Sequence, residues 1–344
     1  MWQGIEGHDA IVEQFRRSLA RGRLASTFLF VGPPGIGKRT FALKLAKALL
    51  CQNHPADQLD PCGQCDACTQ VEAGTHPDLI RIAKPPDKSE IPLSMFLGDK
   101  EERMRTGLCH DIALRPFMGG RKVAIIDDAD TLNEEGANCL LKTLEEPPPH
   151  SVLILIGTSA DKQLPTIRSR AQIIRFQPLP RETVARLLQT AHCINDPAEA
   201  DRLAAFSEGS LERALELADE ALWTFRKQLL GALARPRFDS VGIAKPILTF
   251  IDEAGKDAAP RRRRTKQVIG IAAEFYRQLL RGASGLSLQG DDELNHAVTA
   301  ALKPDAIDPE RIARRAERCL DAIEHVDRNA NQATLVEGWL DDLR

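Results

Sequence analysis

The sequence predicts a parallel α/β domain at the start of the chain, followed by regions that are helical throughout. Three observations support this prediction. Short apolar segments typical of strands alternate with helical segments as far as Phe176, a glycine-rich turn joins one of these strands to a helix, and beyond Pro180 the periodicity is mostly helical. Alternating strands and helices are typical of a parallel sheet flanked by helices.

The first two elements are an amphipathic helix and a buried strand. Ile11, Val12, Phe15 and Leu19 recur at the spacing of one helical face and predict a helix that packs on a core. Four consecutive apolar residues, Phe28–Val31, then predict a short strand that is covered on both sides.

The turn after this strand has the composition of a phosphate-binding loop. Gly32, Gly35 and Gly37 allow backbone N–H groups to surround phosphate oxygens, and Lys38 adds a positive charge. A helical pattern resumes at Thr40. A strand, a glycine-rich loop and a helix in this order are the context that a P-loop requires. We therefore predict a nucleotide-binding site, with ATP and ADP as its candidate ligands.

One position departs from the P-loop pattern. The motif G-x-x-x-x-G-K-[ST] places a hydroxyl after the lysine to bind Mg²⁺, and Arg39 stands there instead. Thr40 stays a candidate contact to the nucleotide, although one step along a helix turns a side chain by about 100°. We expect a loop that is poorly equipped for hydrolysis, and whether Mg²⁺ accompanies the nucleotide stays open.

Four cysteines follow the helix and predict a metal site. Cys62, Cys65 and Cys68 have C-x-x-C-x-x-C spacing, and Cys51 precedes them on a turn-rich segment. Four thiolates suit tetrahedral Zn²⁺ and leave no position for water, so the zinc would be structural. The alternative is four unpaired surface thiols. The other cysteines are expected to be small buried side chains: Cys109, Cys139, Cys193 and Cys319.

Four further strands are predicted, at Asp78–Ile82, Lys122–Ile126, Val152–Ile156 and Gln172–Phe176. The second of these ends in the carboxylates Asp127 and Asp128, at the position where P-loop proteins place an acidic residue near Mg²⁺. Asn133 is predicted to cap the next helix, and the prolines at 147–149 are predicted to end it.

Composition limits the function classes. The chain has 344 residues and a formal net charge of −3, which argues against a general polyanion-binding protein. Its one dense basic run, Arg261–Arg264, contains no aromatic residue, and a solvated loop or ion pairs between subunits are favoured over a nucleic-acid patch. No apolar run approaches the 18 or so residues of a membrane span, and the first ten residues include Glu6 and Asp9. We expect a cytoplasmic protein.

Several motifs together resemble a known family. The glycine loop, the four-cysteine segment, KVAIIDDADTLNEEGANCLLKTLEEPPP at 122–149 and LPTIRSRA at 164–171 are similar, in order and spacing, to the clamp-loader branch of the AAA+ ATPases. The resemblance is strong over about the first 180 residues. It implies an AAA+ core at residues 1–177 with a zinc module at 51–68, a helical lid at 178–220, and a helical collar at 221–344 that packs subunits into a five-membered ring.

The resemblance also implies roles for single residues. Gly32, Gly35, Gly37 and Lys38 would form the Walker A loop, and Asp127 would be the Walker B metal carboxylate. Asp128 stands where active members carry the glutamate that polarises the attacking water. These substitutions predict a degenerate catalytic site.

Two further positions follow from the resemblance. Arg170, in Ser169-Arg170-Ala171, corresponds to an arginine that reaches the γ-phosphate bound by a neighbouring subunit. Glu212 stands where the family carries a phosphate-facing arginine. Loss of a subunit's own catalytic contacts, with the arginine that serves a neighbour kept, is the pattern expected of a non-hydrolysing subunit.

The resemblance therefore implies a clamp-loader subunit of the bacterial DNA polymerase III holoenzyme, with weak or no ATPase activity of its own. Its implied partners are gamma/tau and delta subunits, a sliding clamp, and primer–template DNA reached through the complex. The alternative is a catalytically active gamma/tau-type ATPase, from which Arg39 and Asp128 would distinguish it. A third interpretation, a zinc-dependent nucleic-acid-binding protein, leaves the glycine loop and the strand at 122–126 unexplained.

Overall fold

A five-stranded parallel sheet organises the first part of the chain in the computed structural model, which describes residues 2–86, 88–103, 105–118, 120–190, 193–235, 237–302, 308–328 and 331–344. Its strands are β1 Thr27–Val31, β2 Leu79–Ile82, β3 Lys122–Ile126, β4 Ser151–Gly157 and β5 Gln172–Arg175. The order is β2-β3-β4-β1-β5, and every neighbouring pair is parallel. The predicted parallel α/β fold is confirmed, with strand ends within one residue of those expected.

Two compact units divide the chain, Met1–Ala218 and Asp219–Arg344. The helices of the first unit are α1 Asp9–Ala20, α2 Lys38–Leu50, α3 Asp66–Ala73, α4 Ser94–Leu97, α5 Leu108–Ala113, α6 Glu134–Glu145, α7 Pro165–Arg168, α8 Arg181–Thr190, α9 Pro197–Phe206 and α10 Leu211–Leu217. Those of the second unit are α11 Glu220–Leu233, α12 Ser240–Asp252, α13 Ala258–Ala283, α14 Asp292–Ala301, α15 Pro309–Asp327 and α16 Gln332–Asp342. The finer division into core, lid and collar stays a prediction.

The sheet is covered on both faces, as the apolar strands predict. Phe28 and Phe30 of β1 pack with Phe15 of α1 and Phe41 of α2 in one apolar cluster. Successive side chains of a strand point to opposite faces. The alternate β1 residues, which include Leu29, accordingly belong to a second cluster that contains buried residues of α6. The strand that leads into the glycine loop is thus fixed from both sides.

Helix α6 begins and ends as the sequence predicts. The Asn133 side chain accepts a hydrogen bond from the backbone N–H of Gly136 at 2.8 Å, and the helix ends at Glu145, before the prolines at 147–149. Leu140 and Leu144 lie on its buried side. The end of α6 is therefore held in place by the core beneath it.

Two expectations are wrong. Arg261–Arg264 lie within helix α13, not in a loop, and Arg264 forms an ion pair with Asp219 at 2.7 Å and stacks over the ring of Phe250. Among the four isolated cysteines only Cys319 is buried, whereas Cys109 and Cys139 are half-buried and Cys193 is exposed. The residue type alone did not distinguish buried cysteine positions from exposed ones. Within the described ranges, no helix is both long and apolar enough to cross a membrane.

Candidate functional site

The glycine loop has the backbone conformation that its residues predict. Gly35 and Gly37 have φ of +71° and +94°, in the left-handed region that favours glycine, and α2 begins immediately afterwards at Lys38. A Cβ atom at Gly35 would lie 2.2 Å from Oγ of Ser210. The backbone N–H of Leu211 donates to the Gly35 carbonyl at 3.0 Å. The start of α10 therefore lies directly against the loop.

Lys38 points into the loop itself. Its side chain is buried, and Nζ donates to the carbonyl oxygens of Gly32 at 2.6 Å and Pro33 at 2.5 Å. Burial lowers the pKa of Lys38, and the carboxylates of Asp127 and Glu212 are among the groups that oppose this shift. An ammonium group has three N–H donors, so two of the three bind the loop's own backbone in place of a phosphate.

Arg39 lies beside Asp127, the first carboxylate after β3. Its Nε is 3.4 Å from Oδ2 of Asp127, whose side chain is 18% exposed while that of Arg39 is 58% exposed. P-loop proteins hold Mg²⁺ between a hydroxyl at the first position and a carboxylate like the second. Thr40 is exposed in the first turn of α2. A guanidinium group beside Asp127, with no hydroxyl at position 39, does not fit Mg²⁺.

Two acidic residues complete the surroundings of the loop. Asp128 is exposed and has φ of +54°, and its backbone N–H donates to Oδ1 of Asp127 at 3.0 Å. Glu212, in the first turn of α10, has its Cβ 2.6 Å from the position that a Cβ of Gly35 would take. A carboxylate on this side of the loop repels phosphate.

Two residues at this site were not assigned a role from the sequence. Nε2 of the buried His8 lies 2.8 Å from the carbonyl oxygen of Ile36, so this histidine supports the glycine loop. Asp130 accepts hydrogen bonds from the N–H and Oγ1 of Thr158, at 2.8 and 2.5 Å, and from Nε2 of Gln163 at 2.8 Å. Asp130 joins the segments that follow β3 and β4. The sequence signal that could have identified Asp130 is its position shortly after β3, a strand that is followed by carboxylates.

Arg170 lies just beyond α7 and is one-third exposed. Its NH2 nitrogen donates to Oε1 of Glu145 at 2.6 Å, and its NH1 nitrogen donates to the Thr166 carbonyl at 3.0 Å and to Oγ of Ser169 at 3.1 Å. The guanidinium is therefore both ordered by local contacts and accessible at the surface.

The four predicted cysteine ligands come together. The Sγ atoms of Cys51, Cys62, Cys65 and Cys68 all lie within 4.8 Å of one another. Four Zn–S bonds of about 2.3 Å in a tetrahedron place the sulfurs about 3.8 Å apart, so the cluster fits Zn²⁺ after a small contraction.

Backbone donors surround these sulfurs. The N–H groups of Cys62, Cys65 and Cys68 donate to the Sγ atoms of Cys51, Cys62 and Cys65 at 3.4, 3.3 and 3.5 Å. Burial opposes ionisation of Cys65, but hydrogen bonds from Gln52 and Cys68 outweigh it and lower its pKa to about 6. A thiolate stabilised in this way is the form that binds a metal ion.

Comparison with known proteins identifies the relatives of this chain. The family model described as "DNA polymerase III, delta subunit" matches residues 7–180. The DNA polymerase III subunit delta' of Pseudomonas aeruginosa is 38% identical over 217 residues, which are 62% of this chain and 62% of that protein. Subunit delta' of Bacillus subtilis is 34% identical over 215 residues, 59% of this chain and 61% of that protein. Subunit tau of Escherichia coli is 33% identical over 222 residues, 63% of this chain and 32% of that protein. The match thus covers less than two thirds of each relative.

Proposed function

Because this chain belongs to the delta'-subunit family of DNA polymerase III, related to the gamma/tau clamp-loader subunits, we propose that it is a clamp-loader subunit with little or no ATPase activity of its own. It would occupy one position of a five-membered ring with gamma/tau and delta subunits. In that ring it would help to load a sliding clamp onto primer–template DNA.

The position of Arg39 carries this proposal. Its guanidinium group lies beside Asp127, the carboxylate that would hold the Mg²⁺ on which ATP hydrolysis depends. Asp128 supplies a shorter side chain than the water-polarising glutamate. Each of these contacts is worth several kcal/mol to a transition state, so losing both leaves negligible turnover. Any nucleotide held by Gly32, Gly35, Gly37 and Lys38 would be ATP or ADP bound without the usual metal.

Arg170 would act on a neighbour's nucleotide. Its side chain is one-third exposed just beyond α7, and its planar fork of N–H donors matches the geometry of phosphate oxygens. In the ring it would approach the γ-phosphate of ATP bound to an adjacent motor subunit. The chain would then contribute to hydrolysis without hydrolysing ATP itself.

The cysteine cluster would hold one structural zinc ion. Cys51, Cys62, Cys65 and Cys68 fill all four tetrahedral positions, which leaves none for a reacting water. The segment of residues 51–68 would depend on that ion for its folding.

A gamma/tau-type ATPase is the second candidate, and the similarity to tau favours it as far as the fold is concerned. Such a motor subunit needs the hydroxyl that Arg39 replaces. Purified alone, the chain should show little ATP turnover with or without primed DNA. A rate comparable to that of a working motor subunit would establish the second candidate instead.

Substitution of Arg170 tests the trans role. Arg170→Ala should leave ring assembly intact but slow DNA-stimulated ATP hydrolysis by the reconstituted loader, because an arginine of this kind is worth about 10³–10⁵ in kcat at the site it serves. Arg168→Ala is the matched control, since Arg168 lies two residues earlier and pairs with Asp161 at 2.9 Å. Unchanged kinetics in Arg170→Ala would eliminate the trans role.

A further inference from the structure

The contact between Arg170 and Glu145 connects two different helices. Glu145 is the last residue of α6, and its carboxylate accepts from the guanidinium of Arg170 at 2.6 Å. We infer that Glu145 is a positioning residue, which fixes the Arg170 guanidinium in the orientation that it presents to a neighbouring subunit. This inference rests on the proposed trans role of Arg170.

Glu145 differs from the other two groups that bind Arg170. The Thr166 carbonyl and the Ser169 hydroxyl belong to the same turn as Arg170 and move with it. Glu145 belongs to α6, which is capped at Asn133 and anchored in the core by Leu144. Among the contacts that the described residues make, only the Glu145 contact therefore ties the guanidinium to an element other than its own α7 turn.

The contact leaves room for a phosphate. A guanidinium group has five N–H donors. NH1 makes two hydrogen bonds here and NH2 makes one, so two donors are left. The side chain is one-third exposed, and Arg170 can bind a γ-phosphate oxygen while it still donates to Glu145. The carboxylate therefore orients the arginine without having to be displaced.

Removal of the carboxylate should affect the rate and not the binding of ATP. Without Glu145, the long Arg170 side chain samples many rotamers, and the population in the productive orientation falls. In the reconstituted loader with clamp and primed DNA, Glu145→Ala should lower kcat by about three- to ten-fold and leave KM for ATP unchanged, because the contact serves only the transition state. Glu145→Gln should lose less, since its amide oxygen can still accept the bond.

Two comparisons separate positioning from a general structural effect. Glu146→Ala is the matched control, because Glu146 is the adjacent exposed acid and forms no ion pair within the described part of the chain. The double variant Glu145→Ala/Arg170→Ala should have the kcat of Arg170→Ala alone, since Glu145 acts only through the arginine. Thermal unfolding of each variant checks that the chain still folds, and Glu145→Gln serves as the test if Glu145→Ala does not.

The outcomes distinguish this inference from the proposed function. If Arg170→Ala is without effect, the trans role itself fails. If Arg170→Ala slows the loader while both Glu145 variants match the wild type, or raise turnover, the positioning inference is overturned alone. A further loss on adding Glu145→Ala to Arg170→Ala overturns it too, because Glu145 would then act by another route.

Discussion

Replacement of Arg39 by threonine should make nucleotide binding depend on Mg²⁺. The substitution removes a positive charge 3.4 Å from Oδ2 of Asp127 and restores the hydroxyl that follows Lys38 in working P-loops. In this variant, residue 39 no longer places a positive charge beside Asp127. A metal ion can then bind between the Asp127 carboxylate and the new hydroxyl.

The structure sets the size of the two effects. Because Arg39 is more than half exposed, its ion pair with Asp127 is worth less than about 1 kcal/mol. The loss should shift the unfolding temperature by no more than about 4 °C. Mg²⁺ should leave the ATP affinity of the wild type unchanged but strengthen that of Arg39→Thr by at least about ten-fold, or 1.4 kcal/mol. The contact between Leu211 and the loop is present both with and without Mg²⁺, so it does not affect the ratio of the two ATP affinities.

Isothermal calorimetry with ATP, with and without Mg²⁺, measures the ratio directly. No chelator is added, so that any zinc held by the cysteine cluster stays bound. Arg39→Lys is the control, since it keeps a positive charge and supplies no hydroxyl, and its ATP affinity should not respond to Mg²⁺. The reasoning is refuted if the wild type already binds ATP more tightly with Mg²⁺, or if Arg39→Thr responds no more than Arg39→Lys.

Two further predictions concern stability. Metal analysis of freshly purified protein should find one zinc ion per chain. Cys65→Ser should lose this ion and unfold at a lower temperature, whereas Cys193→Ser, which lies outside the cluster, should do neither. If freshly purified protein contains no zinc, the four cysteines are unpaired thiols instead. The fully buried carboxylate of Asp78 accepts from the N–H groups of Phe117 at 2.7 Å and Met118 at 2.9 Å, so Asp78→Asn, which keeps one acceptor oxygen, should cost about 2 kcal/mol in urea unfolding. Asp57 is exposed, so Asp57→Asn should change the free energy of unfolding by less than about 0.5 kcal/mol. Equal losses of stability in the two variants would contradict the role of Asp78 as a buried hydrogen-bond acceptor.

Local patterns predicted most of the fold. The run Phe28–Val31 and the strand before Asp127 were recognisable because a strand buried on both faces is apolar throughout. The cap at Asn133 involves residues three apart, and a sequence shows such neighbours directly. The cysteine cluster was predictable for the same reason, since three of its four members are spaced by a short motif.

The contacts that decide the properties of the site join residues far apart in the chain. The sequence showed that Arg39 replaces the hydroxyl residue of the P-loop pattern, but it did not indicate that the guanidinium would lie beside Asp127. Nor did it place His8 at the glycine loop or Glu145 beside Arg170. Each of these pairings depends on how helices pack on the sheet, and no residue pattern within one segment encodes that packing.

Helix α2 begins at the glycine loop and ends next to the first cysteine of the cluster. Its 13 residues, Lys38–Leu50, form one continuous rod of about 20 Å, and Lys47 near its end forms an ion pair with Glu72 of α3. We expect oxidation of these thiols to loosen the end of α2 next to Cys51, and a continuous hydrogen-bonded helix connects that end to the glycine loop. Any nucleotide titration on this protein should therefore be accompanied by a determination of thiol oxidation and metal content on the same sample.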